Sequence, residues 1–193
     1  MNGLKIMDSR SEFILAAIND AQATIRSIDV KVAALLTGLL IPIASIGKIW
    51  SYLIQLSTLT TLSISFVVGG IFIGSWLAAV FSLVRTISAI DNPALHIVNS
   101  GSHKGVFYGG GLFEFGWLDV LLNRSIVKAS KDVPTFSQDY PSNEDDTISE
   151  LTFEHMKLIY IRDIKLHRFK ISIRVAFVWL LLGVGIYLYS KIG

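Results

Sequence analysis

The chain has 193 residues, 52% of them hydrophobic and 17% charged, with a mean hydropathy of +0.56, which sets it apart from a water-soluble domain of this length. A formal charge of +2 without any Lys/Arg block gives no basis for a nucleic-acid track. The lack of cysteine excludes disulfides, a thiol nucleophile and a thiolate metal site.

The first thirty residues include Lys5, Asp8, Arg10, Glu12, Asp20, Arg26 and Asp29, too long and too charged a lead for a cleaved signal peptide. Within them Phe13, Ile14, Ala17, Ile18, Ala21, Ile25 and Ile28 recur at helical spacing. This stripe predicts an amphipathic helix from Ser9 into the first apolar run. Its polar face is not Lys-rich, so burial against protein is favoured over a membrane-surface helix. The expected partner is a second helix over 148–173.

Three runs without a charged side chain follow: Val32 to Gly47, Ile49 to Val84, and Val175 to Ser190. At ~1.5 Å per helical residue the middle run extends ~54 Å, beyond a ~30 Å hydrocarbon core, so it holds one span and an outer turn. The fold class is therefore an all-α membrane protein with three transmembrane helices, long cytoplasmic helical extensions and a small, mainly helical insert between spans two and three. The expected layout is an amphipathic helix over 1–29, spans over 30–50, 61–85 and 174–190, an outer turn over 51–60 and a cytoplasmic sensing region over 86–173.

Orientation follows from basic residues, which concentrate on the cytoplasmic side. Lys5, Arg10, Arg26 and Lys31 precede span one, Arg85 ends span two, and Lys165, Arg168, Lys170 and Arg174 lead into span three. The opposite side has only Lys48 and Lys191. The N-terminus is thus expected inside and the C-terminus outside, with Trp50, Tyr52, Tyr187 and Tyr189 at the outer interface.

Pro42 lacks an N–H and crowds the Gly38 carbonyl, so span one should kink there, with Thr37 and Ser45 available to the freed backbone groups. Span two places Gly70, Gly74, Ala78 and Ser82 at every fourth position, a ridge suited to close helix packing within or between chains. No Asp, Glu, Lys, Arg or His falls inside a span, which disfavours a proton relay or charged-substrate transporter. Near the interface, Asp29 is positioned by height to pair with Lys170, Arg174 or Arg85, either as an anchoring charge or as part of a switch that includes Lys31 and Lys165.

The insert opens with the turn signal Asn92-Pro93 and contains Gly101, Gly105, Gly109 to Gly111, Pro134, Pro141 and the acidic Glu144 to Asp146. Val106 to Tyr108 reads as a short extended piece and 115–131 as an amphipathic helix. Catalytic signals are weak. The glycines fit neither a Walker loop, a GxGxxG pattern nor a GxSxG elbow, and the four histidines do not fall at metal-ligand spacing. Glu114 and Asp119 are a pair in spacing only. No enzyme, cofactor or metal is expected.

In its motifs the chain resembles the transmembrane effectors of Pycsar, the pyrimidine cyclase system for antiphage resistance. The resemblance lies in Ile28-Asp29-Val30-Lys31-Val32-Ala33-Ala34-Leu35-Leu36, similar to an Asp-x-Lys-Ala motif opening the first span. It continues in Asn92-Pro93, in the patch Val106-Phe107-Tyr108-Gly109, and in the helix Ile161 to Arg174 with Lys165. Val32 stands where the family usually has Ala.

The resemblance implies a homo-oligomeric effector that binds cCMP or cUMP made by a neighbouring cyclase and impairs the bacterial inner membrane. By chemical type, Lys104, Arg124 and Lys128 would meet the phosphate and Phe107 and Tyr108 the base. The alternative is a structural or scaffolding membrane protein whose cytoplasmic domain binds a protein partner.

Overall fold

From Ser9 to Thr37 the sequence has neither glycine nor proline, and in the computed structural model this stretch forms helix α1 (Ser9–Leu40) without interruption. The structure describes residues 9–59, 62–88, 90, 92–98, 105–108, 112–113 and 128–192. Pro42 ends α1. A 3-10 turn (Ile41–Ser45) follows, and the chain resumes as α2 (Ile46–Leu59). The change of winding is the expected consequence of a residue that cannot donate to the carbonyl four places back.

Helix α3 spans Leu62–Ile87. A 3-10 turn at Pro93–His96 starts after Asn92, whose φ of 31° is one that asparagine tolerates. A second 3-10 turn covers Val106–Tyr108. The short helix α4 (Val133–Ser137) is capped by Asp132, whose carboxylate accepts from the Thr135 N–H at 3.0 Å. Hydrogen bonding from the Thr135 side chain first, and from its N–H second, holds this carboxyl below its ordinary pKa.

The longest element is α5 (Glu144–Ile192). Asn143 caps it, its Oδ1 accepting from the Asp146 N–H at 2.7 Å, and Glu144, Asp145 and Asp146 complement the positive end of the helix dipole. No proline interrupts it, and its first glycine is Gly183.

Among the described residues there is no strand, as the all-α reading expected. Three helical stretches, Ser9–Gln55, Ile64–Ile87 and Glu144–Lys191, are long and apolar enough to cross a membrane. Only 11 to 17% of their most apolar windows is buried within the chain, so the remaining apolar surface faces outward. Phe66, Phe81 and Phe177, for example, are well exposed. Such surface is compatible with a multi-pass membrane protein.

The chain divides into two compact units: unit 1, Met1–Ala23 with Asp91–Ile161, and unit 2, Thr24–Ile90 with Arg162–Gly193. In unit 1 the buried apolar side chains among the described residues are Ile14, Ile18 and Ala21 of α1, Val106, and Ile148, Leu151, Phe153 and Leu158 of α5. In unit 2 the core joins Ile28, Val32 and Leu39 of α1, Ala79 and Leu83 of α3, and Ala176 of α5, flanked by Leu36, Phe169 and Trp179.

Three expectations change, and a fourth falls largely outside the described residues. Phe13 is 72% exposed, because the buried stripe repeats from Ile14 through Ile18 and Ala21, and Phe13 falls beside it. Residues 51–59, expected as an outer turn, are helical, since Leu53, Ile54, Gln55 and Leu56 favour helix and nothing among them breaks it. Val106–Tyr108 is a 3-10 turn rather than an extended piece. The cause is Gly105, whose φ of +66° turns the backbone where a side chain would be strained. The predicted helix over 115–131 lies, through residue 127, outside the described residues.

Candidate functional site

Two groups of polar side chains stand out, one in each unit. In unit 2 the Lys165 ammonium meets Asp29 Oδ1 at 2.6 Å, with the Lys165 side chain 9% and the Asp29 side chain 37% exposed. The partner is Lys165, not Lys170, Arg174 or Arg85. Counting heights from the first uncharged residue of each span misjudged α5. There Lys170 and Arg174 lie on the exposed face, while Leu166 and Phe169 already pack against the apolar core. Lys31 is also exposed.

Arg168 donates from Nη1 to the Arg85 carbonyl at 2.9 Å, satisfying one of the last acceptors of α3. Deeper in, Ser82 and Ser172 hydroxyls lie 2.7 Å apart. Because Ser172 donates to the Arg168 carbonyl, Ser82 is the donor of this pair.

At the Pro42 break, the Leu39 carbonyl accepts from Trp76 Nε1 at 2.8 Å. In a 3-10 turn this carbonyl would be served by residue 42, which is proline and has no N–H. Thr37, one of the two residues expected to re-satisfy the break, instead donates to Ala33 O one turn back. Proline signalled an orphaned acceptor near this point, but no local pattern marks a donor 37 residues away.

The ridge Gly70, Gly74, Ala78 and Ser82 is not the packing face of α3 within the chain. A Cβ at Gly70 or Gly74 meets nothing within 4 Å, and Ala78 is exposed. Only Ser82 turns inward. The buried positions among the described residues of α3 are instead Ser65, Phe72, Ala79, Leu83 and Thr86. The close approach is at Gly183, where an added Cβ would sit 3.2 Å from the Phe72 ring, itself stacked on Trp179 at 5.6 Å.

In unit 1 the turn after Gly105 is seated on α5. Glu150 Oε1 accepts from the Val106 N–H at 2.8 Å. One helical turn on, Glu154 is fully buried, and its Oε1 accepts from Lys157 Nζ at 2.6 Å. The Lys157 ammonium also lies 4.7 Å from the centroid of the Phe153 ring, a cation–π contact. Glu154 Oε2 has no hydrogen-bond partner among the described residues. Burial raises the Glu154 carboxyl above its ordinary pKa. Lys157 pulls it back by hydrogen bond and charge, and Glu150 adds to the upward push.

Phe153 is also a wall of a cleft of ≈340 Å³ in unit 1. Its polar lining is Arg10, Asp145, Ser149 and Thr152. Its apolar lining includes Ile148, Phe153 and Met156. Among the described residues neither Arg10 nor Asp145 has a hydrogen-bond or ion-pair partner, although both line the same cleft. The volume lies at the lower end of the ~300–1,000 Å³ range of small-molecule sites, and the lining combines one cation, Arg10, one carboxylate, Asp145, and an aromatic wall, Phe153.

Of the sequence-based ligand candidates, Lys104 and Arg124 lie outside the described residues, as do Glu114 and Asp119. Phe107 is 47% exposed in its turn, Lys128 is exposed, and neither lines the cleft. Tyr108 closes the same turn as Phe107. In the sequence Arg10 carries no signal beyond that of one more positive-inside charge, and Asp145 none beyond that of an acidic helix start.

The class these features define is an all-α protein of transmembrane helical character with a polar cleft in its unit 1. Comparison with family models, with curated proteins and with solved structures finds no match to this chain.

Proposed function

We propose that this chain is a membrane effector of an antiphage defence system, opened by a cyclic pyrimidine mononucleotide that a neighbouring cyclase makes. In this reading it is a multi-pass protein of the bacterial inner membrane, N-terminus cytoplasmic and C-terminus periplasmic. It works as a homo-oligomer, without enzymatic turnover, and compromises the bilayer so that the infected cell dies before phage mature.

The observation that carries the reading is the course of α5. Residues 145–156 line the cleft in unit 1, and the same unbroken helix holds Lys165, Ser172 and Ala176 among the buried contacts of unit 2. Helix α1 likewise supplies Arg10 to the first and Asp29 and Leu39 to the second. A ligand that prefers one arrangement of these two helices shifts the population toward it, which is the energetic requirement for gating. The motifs from Asp29-Val30-Lys31 to Lys165 support the same assignment.

The test is the full chain in liposomes loaded with a self-quenched dye. Dye release on adding cCMP or cUMP, with saturable binding of that nucleotide to the detergent-solubilised protein, is the expected result. An intact bilayer and no saturable binding of either nucleotide would leave the scaffold reading in its place.

A further inference from the structure

Resting only on the multi-pass part of that reading, we infer that Lys31, Arg85 and Lys170 form a collar on unit 2 that takes the phosphates of anionic phospholipids. Each is exposed on a different helix, and among the described residues none of the three side chains has a hydrogen-bond or ion-pair partner. Contacts between the helices set their heights. The Ser82 and Ser172 hydroxyls lie 2.7 Å apart, so these short side chains put their residues level. Helix α3 runs against α5, because Phe72 faces Gly183 at one end while Arg168 reaches the Arg85 carbonyl at the other. At ~1.5 Å per residue, Lys170 and Arg85 then lie about 3 and 4.5 Å from the serines, both toward the end that holds Lys165. Helix α1 is tied to α3 by the Trp76 indole on the Leu39 carbonyl at 2.8 Å, which places Lys31 about 12 Å from Trp76 in the same direction, level with Lys170. Counting from the Asp29–Lys165 pair instead moves Lys31 by about 4.5 Å, still less than one turn.

This level is a boundary. On one side of it Phe81 and Val84 of α3 and Ile173 and Phe177 of α5 are exposed apolar side chains. On the other side Arg26, Asp163 and His167 are exposed. A bilayer puts its headgroup phosphates where such a change from apolar to charged surface occurs. Charge then decides which lipids suit the collar. The acidic residues in the sequence of unit 2 are Asp29 and Asp163, and they are held by Lys165 at 2.6 Å and Arg162 at 2.9 Å. The three cations therefore have no counter-charge within their own unit. A zwitterionic headgroup brings an ammonium along with its phosphate, whereas a net-anionic one supplies the missing charge. Arg174, exposed one turn beyond Lys170, is long enough to snorkel back to the same phosphates.

The test uses the full chain reconstituted in phosphatidylcholine vesicles with a trace of spin-labelled phosphatidylglycerol or spin-labelled phosphatidylcholine. Electron spin resonance reads the share of each lipid that the protein immobilises. Phosphatidylglycerol should be favoured about fivefold at low salt, the ratio given by an attraction of ~1 kcal/mol per surface cation. High salt should bring the ratio toward unity. Lys31→Gln, Arg85→Gln and Lys170→Gln combined should abolish the preference, while Lys48→Gln, beyond the apolar run of α1, should keep it. Inorganic phosphate should compete no better than chloride at equal ionic strength. The salt series tests the collar in the wild-type protein even if the triple variant fails to fold. Equal immobilisation of the two lipids, a preference that survives high salt or the triple substitution, its loss in Lys48→Gln, or selective displacement by inorganic phosphate overturns the collar and leaves the multi-pass reading standing. The absence of an immobilised component with either lipid overturns the multi-pass reading itself.

Discussion

Unit 2 and unit 1 treat their polar groups in opposite ways. In unit 2 the described buried or part-buried polar groups are paired within the chain: Lys165 with Asp29, Ser172 with Ser82, and the Leu39 carbonyl with Trp76. Among the described residues of this unit, Trp179 Nε1 is buried without a partner. In unit 1, Arg10 and Asp145 line one cleft with no pairing partner among the described residues, and among the same residues the fully buried Glu154 has one oxygen without a partner. An apolar bundle in lipid has no water to complete its polar groups, so internal completion is the condition of its existence.

The contrast breaks most visibly at Asp29. Asp29→Asn removes the charge that a buried Lys165 faces, and because Asp29 is itself more than a third exposed the cost should be about 2–3 kcal/mol rather than the larger value of a fully buried pair. Thermal unfolding in detergent should show a lowered Tm, partly restored by adding Lys165→Met. An unchanged Tm for the single variant would mean the pair is only an anchoring contact.

Next in size is Gly183→Ala, which drives a methyl into the Phe72 ring and should cost about 1–2 kcal/mol. Gly74→Ala is its control. It meets nothing within the chain and should leave the unfolding midpoint unchanged or slightly raised. Trp76→Phe keeps an aromatic ring but deletes the N–H, and should cost about 1 kcal/mol, in line with interhelical hydrogen bonds in membranes.

The smallest effect sharpens the other side of the comparison. The Glu154 carboxyl has its folded-state pKa raised, so it binds its proton more tightly folded than unfolded. Its contribution to stability is present in full below the ordinary carboxyl value of 4.5 and is lost as pH rises through the raised one. Unit 1 should therefore be more resistant to proteolysis in mild acid than at neutral pH, and Glu154→Gln should remove that slope. An unaltered slope in the variant would assign it to another group.

How far the sequence foretold this depended on whether the cause was local. Uncharged runs and the 3.6-residue stripe through Ile14, Ile18 and Ala21 are properties of neighbouring residues, and they yielded the all-α architecture and the three apolar helices. The end of α1 was legible at Pro42 for the same reason. The partner of Asp29 was not, because register between two helices depends on which face of α5 turns inward, and the charges at Lys170 and Arg174 masked an apolar face that begins at Leu166. The GxxxG spacing is present in α3, but spacing does not say which side of a helix the chain itself uses. The cleft was least legible of all: Arg10 and Asp145 are separated by most of the chain, and only folding brings them to one wall.

Pro42 and Trp76 carry a consequence for how such a chain can drift. Proline withholds the amide that the 3-10 turn would otherwise offer to the Leu39 carbonyl, and an indole on another helix stands in for it. Trp76 therefore has a hydrogen-bonding task only while residue 42 is proline, and in Pro42→Ala a restored helix would leave the indole N–H idle. The two positions should be inherited as a unit: lineages that lose the proline become free to lose the tryptophan, whereas the reverse order passes through a weakened intermediate.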